Sequence, residues 1–123
     1  MAPKTSPTKF SLLGTKFMVS VQDMERAIAF YTNVFSLDVS FHSSHWSELK
    51  YQSSIIALHG GGSTEFRNTG LSFTVDDIQG ACDAVVRAGG LVRSGPEDRG
   101  DEGIILAHLT DTEGNGFMIS QGK

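Results

Sequence analysis

The chain has almost no cysteine: Cys82 is the only one among 123 residues. An internal disulfide is therefore excluded, and a reducing cytoplasm is the expected location. Long apolar runs are missing as well. No segment approaches the roughly 20 apolar residues of a membrane span, and the opening MAPKTSPTKF holds no apolar stretch of signal-peptide length. Basic charge is scarce and scattered, with 10 Lys and Arg against 14 Asp and Glu and a net charge of −4. That balance argues against a phosphate-backbone surface, so neither nucleic acid nor membrane is an expected partner. A nucleotide fingerprint is absent too, because Gly60-Gly61-Gly62 is not followed by Lys-Ser or Lys-Thr. What is present is an ordinary globular composition, 39% hydrophobic and 20% charged, in a length that suits one compact domain.

The order of elements is legible from periodicity. From Lys16 to Val21, Phe17, Val19 and Val21 share one strand face, and Lys16, Met18 and Ser20 share the other. Asp23 stands at an N-cap position. The helix after it places Met24, Ala27, Ile28, Tyr31, Val34 and Phe35 on one stripe. LDVSFH, HWSELKY and Ser53 to His59 read as three further strands, and Gly60 to about Asn68 as a flexible linker. The pattern then begins again. Leu71, Phe73 and Val75 alternate with Gly70, Ser72 and Thr74, and Asp76-Asp77 leads into a helix whose stripe is Ile78, Ala81, Cys82, Val85 and Ala88. Gly89-Gly90 stops that helix, and strands follow at LVRSG, GIILAHL and GFMISQ. Val19 to Met24 lies over Phe73 to Ile78, so the halves repeat at a spacing of 54 residues. A βαβββ unit cannot bury its apolar face alone, whereas two together can.

The segments VSVQDMERAIAFYTNVFSLDV, LSFTVDDIQGACDAVVRAGG and HLTDTEGNGFMIS resemble the two module openings and the closing hairpin of the vicinal oxygen chelate (glyoxalase/bleomycin-resistance/dioxygenase) superfamily. The resemblance covers about Thr15 to Gln121. It implies an α+β fold of two βαβββ modules forming one curved, open, mixed sheet. The expected layout is a flexible tail over residues 1–10, mainly Met1 to Thr8, and a single domain over 11–123. Within it, module 1 covers about 11–60, the linker 61–68 and module 2 69–123. Because members of this fold commonly pair, a homodimer is expected. The superfold hosts lyases, isomerases, dioxygenases and drug-sequestering proteins, so fold alone does not fix function.

Metal-dependent members place one His or Glu on each of four strands around a divalent ion. Carried over on the Phe30-Tyr31, Thr74-Val75-Asp76 and Asp111 to Asn115 landmarks, those positions fall on Lys16, Ala57, Gly70 and Met118. An ammonium, a methyl, a hydrogen and a thioether offer a hard ion nothing useful. No metal or other cofactor is therefore expected.

The candidate ligand-binding residues are Lys16, Met18, Trp46, Glu48, Ala57, His59, Ser72, His108 and Met118. His59 and His108 are placed to act as hydrogen-bond donor or general base, or else to be satisfied at the cavity rim. Lys16 reads either as an anion or carbonyl contact or as a lysine snorkelling to water. Trp46, the only tryptophan, is a stacking platform or ordinary core, and Met18 and Met118 would form a soft wall. His42, His45 and Glu48 converge as an alternative metal site only if Ser43-Ser44 turns the chain. Cys82, on the helix stripe, reads as a buried small residue. Gly100 to Gly103 reads as a mobile loop able to act as a lid.

Three functions compete. The first is a metal-free protein that binds or sequesters a small molecule, a drug or a metabolite. The second is a lyase, isomerase or dioxygenase-type enzyme working through a non-standard metal site or acid–base residues. The third is a dimerisation module. Standard glyoxalase or dioxygenase chemistry is disfavoured by the four substituted positions.

Overall fold

The computed structural model describes residues 9–123, so the tail expected over Met1 to Thr8 lies outside the described residues. The first half of the chain runs β1 (Phe17–Ser20), α1 (Met24–Phe35), β2 (Asp38–Phe41), β3 (Trp46–Tyr51) and β4 (Ser54–His59). The second half runs β5 (Arg67–Thr74), α2 (Ile78–Arg87), β6 (Leu91–Asp98), β7 (Ile104–Thr110) and β8 (Asn115–Gly122). The architecture is α+β, and each half is a βαβββ module. Hydrogen bonding divides the strands into two four-stranded sheets, ordered β1-β4-β3-β2 and β5-β8-β7-β6. In both, the first strand pairs parallel with the last and the remaining pairs are antiparallel.

Local chemistry explains these boundaries. The carboxylates of Asp23 and Asp77 accept from the backbone N–H of Arg26 and Gly80, which caps both helices. Ser36 closes α1 in the left-handed region (φ 56°), its N–H returning to the Thr32 carbonyl. Gly89, at φ 98°, turns the chain away from α2 in a conformation that side chains disfavour. Two boundaries differ from expectation. β5 begins at Arg67, inside the segment read as linker, and β6 continues through Gly95-Pro96 to Asp98. The segment read as a mobile loop forms a short 3-10 turn at Gly100–Glu102. The Gly103 N–H bonds the Gly100 carbonyl there, and Lys123 Nζ lies 2.8 Å from Asp98 Oδ1.

One face of each sheet is covered by the helices. α1 buries Met24, Ala27, Phe30 and Tyr31, and α2 buries Ile78, Cys82 and Val85. They meet Val19, Val21, Ile56, Leu58, Leu71, Phe117 and Ile119, the strand residues whose alternation marks the outer face. An aromatic cluster crosses between the modules. Phe35 of α1 stacks on Phe73 of β5 at 3.8 Å, and Phe30 and Tyr31 pack against Phe117. Full burial of such side chains contributes about 1.5–3 kcal/mol each.

A polar junction reinforces this seam. The turn between β7 and β8 presents Glu113, fully buried, to the start of α1. Its carboxylate accepts from the backbone N–H of Gln22 and Asp23 at 3.0 and 2.9 Å and from Arg26 Nε at 2.7 Å. The neighbouring Asp111 accepts the Tyr31 hydroxyl proton and the backbone N–H groups of Glu113 and Asn115. Gly114 makes the turn possible, at φ 86° and with the Thr64 carbonyl oxygen 2.4 Å from where a Cβ would sit.

Candidate functional site

The faces turned away from the helices carry the candidate residues. On the first sheet, register sets Met18 beside Ala57 and Glu48, and Ser20 beside His59 and Trp46. Lys16, just before β1, reaches Glu48 Oε2 at 2.9 Å, and the Trp46 indole N–H donates to the same oxygen at 2.8 Å. The Trp46 N–H and the Lys16 ammonium together hold the Glu48 carboxyl below the ordinary carboxylate range. Trp46 also meets His59 edge to face, with ring centroids 6.0 Å apart. Met18 is 52% exposed beside this group, while Ala57 is fully covered and presents no surface. Lys16, Met18, Trp46, Glu48 and His59 thus form one patch with an aromatic face, a thioether and an internally neutralised charge.

The second sheet places Ser72, Met118, His108 and Ser94 in one row. The Ser94 hydroxyl lies 3.2 Å from His108 Nδ1. Register slips on both flanking strands, between Asn68 and Ser72 in β5 and between Val92 and Ser94 in β6. Such bulges re-aim side chains. The β6 slip leaves Arg93 as the extra residue, its guanidinium 4.0 Å above the Phe66 ring. A cavity of about 170 Å³ lies there, lined by Arg93, Asn68, His108 and Met118 among others. Arg93, Asn68 and Phe66 were not expected from the sequence, since alternation gives no sign of a register slip. A further cleft of about 530 Å³ opens at the seam between the end of α1 and β5, and Ser72 is the candidate residue on its wall.

The donor set does not suit a divalent ion. Lys16 is engaged by Glu48, Ala57 is buried, Gly70 lies with its backbone near the Phe17 ring, and Met118 lines the small cavity. The other histidines do not compensate. His42 Nε2 pairs with Glu25 at 2.6 Å on an exposed surface. Among the described residues, no group of three or more His, Cys, Asp or Glu is placed to hold a metal. Cys82 is buried, and burial, helped by Asp83, raises its thiol pKa, the reverse of a nucleophile's environment. No helix among the described residues is long and apolar enough to cross a membrane.

Comparison with solved structures finds the same fold in proteins of low identity. A glyoxalase/bleomycin resistance protein/dioxygenase family enzyme from Burkholderia phytofirmans superposes with a TM-score of 0.75 at 20% identity, over 88% of this chain and 97% of that one. The antibiotic-binding protein TnmS3 from a Streptomyces species gives 0.72 at 22% identity, over 95% and 100%. The fosfomycin resistance protein FosX of Listeria monocytogenes gives 0.75 at 16% identity, over 93% and 95%. A search of curated proteins returned no significant match. The family profile matches residues 15–119, most of the chain, and with the two βαβββ modules already in view it places this protein in the Glyoxalase/Bleomycin resistance protein/Dioxygenase superfamily.

Proposed function

We propose that this protein binds a small organic molecule on the inner faces of its sheets, without the superfamily's metal set, and serves to sequester a drug or metabolite. The observation that carries this reading is the patch of Trp46, His59 and Met18 around the Lys16–Glu48 pair. Trp46 is held by its own hydrogen bond, so its ring offers a planar surface at little ordering cost on binding. Glu48 already has two donors on one oxygen, which suits a fixed polar anchor better than a free general base. The antibiotic-binding relative lends support by fold alone.

The reading includes a single cytoplasmic domain over 11–123, with the modules about 11–60 and 69–123, acting as a homodimer. Exposed Val39 and Phe41 on the edge strand β2 are apolar surface that a second copy would cover. Light scattering of the purified protein checks that part, and a monomer at micromolar concentration would remove it.

The decisive experiment combines elemental analysis of protein purified without added metal with Trp46 fluorescence quenching by a panel of planar aromatic antibiotics. The expected result is substoichiometric metal and saturable quenching that Trp46→Ala or Met18→Ala weakens. A stoichiometric transition metal, tightly held, would overturn the proposal in favour of an enzyme.

A further inference from the structure

The inner face of the second module carries a group of donors that the Trp46 patch does not use. Arg93 sits at the β6 bulge, and its guanidinium rests on the Phe66 ring at 4.0 Å with no carboxylate partner among the described residues. On the same cavity lie the Asn68 amide and the His108 ring. Ser94 faces His108 Nδ1 at 3.2 Å; when its hydroxyl donates there, Nε2 carries the proton and is left as a donor. Each of the chain's other cationic heads described in a contact meets a carboxylate or a backbone carbonyl. Lys16 meets Glu48, Arg26 meets Glu113, Arg99 meets Glu97 and Glu102, Lys123 meets Asp98, and Arg67 bonds the Ser20, Ser63 and Glu113 carbonyls. No acidic side chain lines the Arg93 cavity.

We infer that this corner is an oxyanion subsite, in which Arg93, with His108 and Asn68 beside it, takes the carboxylate, phosphate or phosphonate group of the bound molecule. The inference rests on the small-molecule reading above and narrows its substrate class. Two bulges bracket the cavity, on β5 and β6, and extra residues in both flanking strands re-aim side chains over the His108–Met118 pair. At the β5 irregularity the Thr69 hydroxyl donates to the Gly116 carbonyl at 2.7 Å and accepts from the Leu71 N–H at 3.2 Å, so one side chain answers two backbone groups there. Stacking on Phe66 fixes the plane of the guanidinium, which is what two-point recognition of an oxyanion requires. The chain's net charge of −4 repels anions at long range, so an anion held here is held by local donor geometry and not by the overall field. A cavity of about 170 Å³ suits a compact headgroup, with the remainder of the molecule outside it.

The test uses full-length, ¹⁵N-labelled protein near neutral pH, titrated with benzoate, phenylphosphonate and neutral benzamide. The readout is the side-chain proton–nitrogen signals of Arg93, His108 and Trp46. The expected result is saturable movement of Arg93 and His108 with at least one anion and none with benzamide. Arg93→Gln should weaken that anion by about tenfold or more, Phe66→Leu severalfold, and the distant Arg99→Gln not at all. Preference for phenylphosphonate over benzoate assigns a tetrahedral headgroup, and the reverse a planar carboxylate. Equal anion affinity in Arg93→Gln, or movement confined to other residues, overturns the subsite. If benzamide moves Trp46 while neither anion reaches Arg93, only this inference fails. If none of the three probes binds, the small-molecule reading fails with it.

Discussion

Glu113 and Glu48 are each bound by a cation and further N–H donors, and they sit in opposite surroundings. Glu113, at the seam between modules, is fully buried and accepts from Arg26, two backbone N–H groups and the Thr112 hydroxyl. Glu48, on the open inner face, accepts among the described residues only from Lys16 and Trp46, and its ammonium partner is half exposed. The pairing chemistry is shared, while the dielectric is not. A buried charge must have every lone pair answered and becomes a fixed joint, because losing a partner strands a desolvated ion. A charge at the water boundary can lose a partner at small cost to the fold, and so remains available to organise a binding surface. The seam spends its electrostatics on holding the modules together, and the inner face keeps its own for function.

The sharpest way to break this contrast is at Glu113. Glu113→Ala leaves the Gln22 and Asp23 N–H groups unanswered and a cavity in the joint, and should destabilise the protein by roughly 3–5 kcal/mol in urea melts. A loss no larger than that of a surface substitution would deny the seam its structural role. The joint is also pH-sensitive in a defined direction. Burial pushes the Glu113 carboxyl upward, but the bonds from Arg26, Asp23 and Thr112 outweigh it, so the folded pKa lies below the ordinary value. The stabilisation is therefore present above the unfolded pKa of about 4.3 and is lost as pH falls through the lower folded value. Wild-type stability should drop on acidification below about pH 4. Glu113→Gln, already weakened at neutral pH, should show a shallower decline over that window.

A smaller effect is expected one residue pair away. Tyr31→Phe removes the hydroxyl that donates to buried Asp111 and keeps the ring in the aromatic cluster. Loss of a hydrogen bond to a charged acceptor costs about 1.5–3 kcal/mol. The tyrosine itself stays protonated far into alkaline pH, because burial, and then Asp111, raises its pKa well above normal. Urea melts of the two variants order the two halves of the joint, and Tyr31→Phe exceeding Glu113→Ala would reverse the assignment.

The seam and the inner face also differ in how far they could be read in advance. The alternation of Phe17, Val19 and Val21, the Asp23 and Asp77 caps and the helix stripes are local patterns, and the outer layer follows from them. The Phe30-Tyr31 and Asp111 to Asn115 landmarks were visible as a resemblance, but their meeting across 80 residues of chain was not. The Lys16–Glu48 contact spans 32 residues and depends on the register of β1, β4 and β3, which periodicity does not set. Ala57 pairs with Met18 and Glu48, yet its methyl is covered, because a short side chain between those two is overshadowed by its row. Arg93 was hidden for a different reason. A bulge inserts one residue without a composition signal, so strict alternation assigns the side chain to the wrong face.

The most delicate expected effect lies at Glu48 and concerns spectroscopy more than stability. Glu48→Gln keeps an acceptor for the Trp46 indole but discharges the partner of Lys16, so the melting temperature should hardly move while the indole N–H resonance shifts. In the wild type, Trp46 fluorescence should titrate with a midpoint below the ordinary glutamate value of about 4.3, since Trp46 and Lys16 both favour the ionised form. Lys16→Met should raise that midpoint toward normal, because the Trp46 bond alone remains to depress it. Glu48→Gln should abolish the titration while leaving the acid transition governed by Glu113 in place. If the Trp46 signal instead followed global acid unfolding in every variant, Glu48 would be a second structural joint, and the division between the seam and the inner face would fall.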